Sequence, residues 1–127
     1  MPRIKVKVGD LKLLAETTSE NPGTVEGILE NLPVQGEAQR WGEEIYFMVR
    51  FELPKEHTRQ ECKPGEIAYW PDGPAIAIFF GKTPVSQGNK PRAYSPCNFF
   101  AKLVQPWDKG KLNAVKDGSK IVLSKAK

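Results

Sequence analysis

At 127 residues the chain fits one domain, spanning 1–127, and leaves little room for a second. Apolar residues make up 39% and charged residues 27%, so the chain can bury a core and is no disordered tail. The net charge of +4 is segregated: residues 1–12 carry +3, 13–70 carry −6, 71–101 carry +2 and 102–127 carry +5.

No apolar run approaches the roughly 18 to 20 residues of a membrane helix, so no membrane partner is expected. The start, Met-Pro-Arg-Ile-Lys-Val-Lys, lacks the apolar centre of a signal peptide, and a cytoplasmic location is the expectation. The lysines at 109, 111, 116, 120, 125 and 127 are dispersed and have no interleaved aromatics, which points to a solubilising surface and not to nucleic acid. Cys62 and Cys97 are expected as free thiols, since a chain of this size forms a core without staples. His57 is the single histidine and sits in a polar stretch that reads as a surface loop. No paired Cys or His spacing exists, so neither a metal nor a cofactor is expected.

In chain order, Arg3 to Val8 alternates apolar and basic residues, which is the pattern of a half-buried strand. Gly9-Asp10 is a turn and Leu11 to Glu16 the returning strand. Asn21-Pro22 marks a helix start, with Asn as the cap and Pro at the first helical position. Val25, Ile28, Leu29 and Leu32 follow at helical spacing, and Pro33 stops the helix. Gly27 weakens it by about 1 kcal/mol, so packing must hold it.

Ile45 to Phe51 reads as a strand, dense in aromatic and β-branched residues. Ile67 to Trp70 and Ala75 to Phe80 flank the turn Pro71-Asp72-Gly73-Pro74. Residues 81 to 97 hold three prolines and two glycines with little periodicity, so they read as one long surface loop. Phe99 to Val104 and Lys120 to Ser124 are the last strands, with a helical turn near Asp108 to Ala114. The sum is a mainly β chain of seven or eight short strands and one or two helices, the composition of an antiparallel barrel. A β-sandwich is the alternative.

No phosphate loop, nucleophile elbow or metal signature is present. Glu43-Glu44 could serve as a carboxylate pair, but neighbours on a strand point to opposite faces. Trp41, Tyr46, Tyr69, Trp70, Phe79 and Phe80 concentrate aromatic surface in the middle of the chain. Core packing accounts for most of them, and one or two are expected to line a cleft.

Three blocks carry a resemblance. Trp41-Gly42-Glu43-Glu44-Ile45-Tyr46-Phe47, Pro64 to Gly73 and Phe79-Phe80-Gly81-Lys82-Thr83-Pro84 are similar to the signature of a small prokaryotic family of cyclophilin-like proteins. That resemblance implies a closed barrel of about eight strands with a helix over each end. A fainter similarity runs to the cyclophilin peptidyl-prolyl isomerases. Pro22 to Glu26 resembles their first helix, and Phe79-Phe80 their paired phenylalanines. Phe99 to Val104 and Gly118 to Val122 resemble their last two strands. Arg40 falls near the place of their catalytic arginine, which implies an electrostatic role at a prolyl nitrogen. Ala38-Gln39 replace the phenylalanine and histidine that precede that arginine, so isomerisation is expected to be absent or far below theirs.

The leading expectation is a binding domain that takes a peptide or small molecule in a shallow aromatic groove. The alternatives are a weak isomerase using Arg40, or a partner of an amide-hydrolysing complex; a protein partner or homodimer would fit the latter. The groove is expected beside Glu43–Phe47, bordered by Trp70 and the loop 81–97. Trp41, Glu43, Glu44, Tyr46, Tyr69, Trp70, Phe80 and Thr83 are assigned to it.

Overall fold

Alternation carries the first hairpin. In β1 (Arg3–Val8) Ile4, Val6 and Val8 are buried while the lysines between them face out. Gly9, at φ +56°, and Asp10 make the two-residue turn into β2 (Leu11–Thr17), with Val8 opposite Leu11. Only a residue free of the left-handed penalty fits there easily.

Helix α1 (Pro22–Asn31) follows, with Ile28 fully buried and Val25, Leu29 and Leu32 packed on the same core. Its cap differs from expectation. Asn21 holds the cap position, but its side chain donates to the Phe99 carbonyl (2.8 Å) and accepts from the His57 backbone (2.6 Å). The free N–H groups of the first turn are taken by Glu56 instead, which accepts from Gly23 N (3.1 Å) and Thr24 N (2.9 Å). A carboxylate there also complements the positive end of the helix. Gly27 sits where a Cβ would run into the Leu53 side chain, so the glycine serves close packing.

The computed structural model describes residues 1–126 and continues through β3 (Val34–Glu37), β4 (Gln39–Arg40), β5 (Glu44–Met48), β6 (Arg59–Glu61), β7 (Glu66–Trp70), β8 (Ala75–Phe79), β9 (Arg92–Leu103), α2 (Lys109–Asn113) and β10 (Lys120–Lys125). The architecture is mainly β: one antiparallel sheet in the order β3-β10-β1-β2-β9-β7-β8-β5-β4, with β6 on β9, and two short helices. The two ends of the chain meet as expected, β1 pairing β10 with Val6 opposite Leu123.

Closure and strand number depart from the eight-stranded closed barrel. The described residues form ten strands, and the hydrogen-bonded path runs from β3 to β4 without returning. At the gap the backbone of Gly36 in β3 packs on the Phe47 side chain of β5, so packing occurs where no ladder forms. The extra strands are short or polar. β4 has two residues and β6 is Arg-Gln-Glu, so neither carries a hydrophobic period. The expected loop 81–97 is also shorter, because β9 starts at Arg92 and pairs β6, with Arg59 opposite Cys97.

The sheet separates two apolar layers. Ile4, Val6, Ile28, Ile45, Phe47, Ile67, Tyr69, Ile76, Ile78, Phe80, Phe100 and Leu112 fill the inner one. On the outer face, Cys62, Ala68, Ala77, Phe79, Ala93, Cys97 and Phe99 form a smaller cluster, with Tyr46 and Trp70 against it. β8 is buried along its whole length because each face meets one layer. Arg59 pins β6 over the outer cluster. It reaches Glu20 (2.6 Å) and Glu66 (2.7 Å) and lies 4.1 Å above the Phe99 ring.

Candidate aromatic cleft

The outer cluster is not filled to its edge. Register puts Glu44 opposite Phe79 and Tyr46 opposite Ala77, so Glu44 and Tyr46 share the outer face two residues apart. Trp70 reaches the same face from the end of β7, and β9 brings Ala93, Tyr94 and Cys97. Small side chains at Ala77 and Ala93 leave room between the rings. The result is a cleft of about 220 Å³ lined by Trp41, Glu44, Tyr46, Trp70, Phe79, Ala93, Tyr94 and Cys97. A larger groove of about 710 Å³ lies over β1, β2 and β10, but among the described residues no buried polar side chain lines it; its polar members are Lys5, Lys7, Lys12, Gln105 and Ser124.

Each wall is held. Trp41 follows β4 in a turn closed by Trp41 N donating to the Glu44 carbonyl (3.0 Å). Gly42 takes φ +63° there, and a Cβ would come within 2.9 Å of the Lys82 carbonyl oxygen. That position needs glycine both for conformation and for space. Trp70 Nε1 donates to Ser95 Oγ (2.6 Å), which donates on to Asp72 Oδ2 (2.8 Å). The chain of bonds fixes the indole. Tyr94 stands edge-on to both indoles, 6.0 Å from Trp41 and 6.3 Å from Trp70 between ring centres, while remaining 70% exposed.

Glu44 is the chemically distinctive member. Its side chain lies on the cleft floor, 7% exposed, and its Oε1 has no hydrogen-bond partner. Burial pushes its carboxyl up to about 8, so it is mostly neutral at pH 7. Among the described residues no lysine or arginine pairs with it; every ion pair formed lies elsewhere. Cys97 and Cys62 nearby are both free. Burial pushes the Cys62 thiol up to about 12 and the Cys97 thiol higher, so neither is a ready nucleophile.

Four expected groove residues meet here: Trp41, Glu44, Tyr46 and Trp70. Four others do not line the cleft. Tyr69 and Phe80 belong to the inner core, because the alternation that turns Trp70 and Phe79 outward turns them inward. The Tyr69 hydroxyl accepts from Leu53 N (2.8 Å). Thr83 is buried and bonded to Ser86 and the Arg92 carbonyl. Glu43 stands in the turn before β5 and bonds Asn113 (2.8 Å), Lys82 N (3.1 Å) and Lys109 (3.1 Å). The Asn113 bond, opposed by burial and helped by Lys109, holds its carboxyl below the usual range.

Arg40 is engaged elsewhere. Its terminal nitrogens donate to the Asn113 and Val115 carbonyls, the Asn113 side chain and the Gly42 carbonyl, at 2.9 to 3.0 Å. Its guanidinium lies 5.3 Å over the Phe80 ring, and it does not line the cleft. Phe79, Ala93, Tyr94 and Cys97 are cleft residues that the sequence reading did not place there. For Ala93 and Cys97 the signal was the alternation of small or apolar residues at 93, 95, 97 and 99, masked by Pro91 and Pro96; it marks neither Phe79 nor Tyr94.

Comparison with known proteins agrees with this architecture. The solution structure of the hypothetical protein AF2241 from Archaeoglobus fulgidus is similar, with a TM-score of 0.84 and 35% identity. The match covers 98% of this chain and 95% of that one. None of the curated proteins matches the chain. A family model described as cyclophilin-like matches residues 2–124, nearly the whole length. The chain therefore belongs to the cyclophilin-like family.

Proposed function

We propose that the protein is a binding module whose outer cleft takes a small molecule or a single peptide side chain. The observation that carries this reading is the unpartnered Glu44 carboxyl on the floor of an otherwise aromatic cleft. A buried polar atom without a partner costs about 1–3 kcal/mol, so a ligand group that reached the Glu44 carboxyl from the cleft would recover part of that cost. The cleft is below the roughly 300–1,000 Å³ of sites that enclose drug-sized ligands, which favours a small ligand or the end of a larger one.

The isomerase reading rests on Arg40, and the occupation of all its terminal N–H groups by protein acceptors weighs against it. Isomerisation needs a donor free to meet the prolyl nitrogen. The test is a fluorescence titration. Trp41 and Trp70 line the cleft, so an occupant should change tryptophan emission saturably, and Trp70→Phe should reduce the change. A proline-peptide isomerisation assay run alongside should show no rate above background. Absence of a saturable signal across a fragment set would overturn the binding reading.

A further inference from the structure

The cleft combines two features that call for the same kind of ligand. Its walls are aromatic: Trp41, Tyr46, Trp70 and Tyr94 line it, with Tyr94 roughly perpendicular to both indoles at 77° and 88°. Its floor is a carboxyl group for which the described residues supply no cation and no hydrogen-bond donor at Oε1. An aromatic ring presents negative charge on its face, so a box of such rings attracts a positive group, most strongly where water is excluded. A carboxylate at the bottom adds the opposite charge at short range in a low-dielectric site.

From this geometry, and resting on the binding reading above, we infer that the cleft recognises an organic ammonium group, such as a small amine or a lysine-type side chain. The cation fills the box, meets the ring faces and completes the partnership that Glu44 lacks. A neutral ligand could use the apolar walls but would leave the carboxyl either unpaired or donating its own proton. The two cases differ in what happens to that proton. A cation draws Glu44 into its charged form, and because the carboxyl begins mostly protonated at pH 7, binding expels close to one proton. A carbonyl ligand accepting from the neutral acid expels none.

Other titratable groups face the same space. On β5 there is Tyr46, on β9 Tyr94 and Cys97, beside β6 Cys62, and in the turn after β7 Asp72, with Arg59 and Glu66 beyond Cys62. Asp72 is already bonded to Ser95, and Arg59 to Glu20 and Glu66. Assignment of the proton to Glu44 therefore rests on the behaviour of the Glu44→Gln protein, which must bind without expelling it.

The probes are choline and n-butylammonium, each compared with an uncharged counterpart, 3,3-dimethylbutan-1-ol and butan-1-ol. Tryptophan fluorescence gives affinity, and calorimetry at pH 7 in two buffers of different ionisation enthalpy gives proton release. The cations should bind at least tenfold more tightly than their counterparts and release close to one proton. Glu44→Gln should reduce the preference to what the aromatic walls supply and abolish the release, while leaving alcohol binding in place. Tyr94 is exposed at the mouth, so Tyr94→Ala should fold normally and weaken cation binding about 3- to 30-fold, the span of one cation–π contact. If the alcohols bind as well as the cations, or Glu44→Gln leaves the preference undiminished, the ammonium assignment is wrong and the binding reading stands. If neither cations nor alcohols change the fluorescence saturably, both fall.

Discussion

Glu44 shows how one residue can carry opposite consequences for stability and for recognition. An unfolded glutamate titrates near 4.5, whereas the folded carboxyl is pushed up to about 8 by burial. Between those values the unfolded chain gives up a proton that the folded chain keeps, so stability falls as pH rises from about 4.5 to 8 and is flat above. The size is on the order of 3–5 kcal/mol if the whole shift is expressed in folding. Glu44→Gln should therefore match the parent near pH 4.5 and exceed it at pH 8. Thermal unfolding across that range checks this, and parallel pH profiles for the two proteins would refute it. Glu43 and Glu56 act on the other side of the scale. Glu56 is raised by burial but held lower overall by its bonds to Thr24 and Gly23 and by His57. Both carboxyls lose their stabilising bonds as pH falls below 4.5, so the two effects occupy separate windows. Arg40 makes a second test at this scale. It ties the β4–β5 turn to the end of α2 through four charged donations and packs on Phe80. Arg40→Ala should cost on the order of 3 kcal/mol in chemical denaturation.

Among the elements, α1 owes its start to a residue far away in the chain. Glu56 caps the helix from a segment that Asn98 in turn holds, accepting from Glu56 N (3.0 Å) and donating to the Pro54 carbonyl (2.9 Å). Glu56→Ala should cost about 1 kcal/mol, as loss of a helix cap does, and increase amide exchange in the first turn of α1 most. This is also where sequence reasoning reaches its limit. Asn21-Pro22 is a start signal that correctly marks the boundary, yet the side chain that bonds the helix N–H groups sits 35 positions later. Alternation marks β1, aromatic and β-branched density marks β5, and the Pro71–Pro74 turn between two apolar runs marks β7 and β8, since each of these strands has apolar surface that must be buried. Arg59–Glu61 has no such face. It is held by ion pairs and by the ring of Phe99, and no local pattern announces that. In the cleft, Trp41 and Tyr46 were legible as aromatics near a glycine. Which member of Tyr69-Trp70 and of Phe79-Phe80 faces outward depends on register, which the sequence alone left open. Tyr94 was hidden by the prolines on either side of it.

At the scale of the whole molecule, the question is how the sheet ends meet. The hydrogen-bonded path stops at β3 and β4, yet Gly36 lies against Phe47, whose side chain is fully buried in the inner core. The seam is thus held by packing where ladder bonds are missing. A Cβ added at Gly36 would come to 3.0 Å from the Phe47 ring and 3.4 Å from the Met48 carbonyl oxygen, a tight fit that the ring must yield to. Gly36→Ala alone should destabilise by about 1 kcal/mol through overpacking. Phe47→Leu alone should cost about 2 kcal/mol through lost burial and a cavity. In the double variant the smaller leucine makes room for the new methyl, so the combined loss should fall short of the sum by at least about 0.5 kcal/mol. Denaturant unfolding of the four proteins measures this coupling. Contact across the seam in solution requires the shortfall. Strict additivity would mean that β3 and β5 stand apart, and that the sheet is an open curl with its inner core reachable between them.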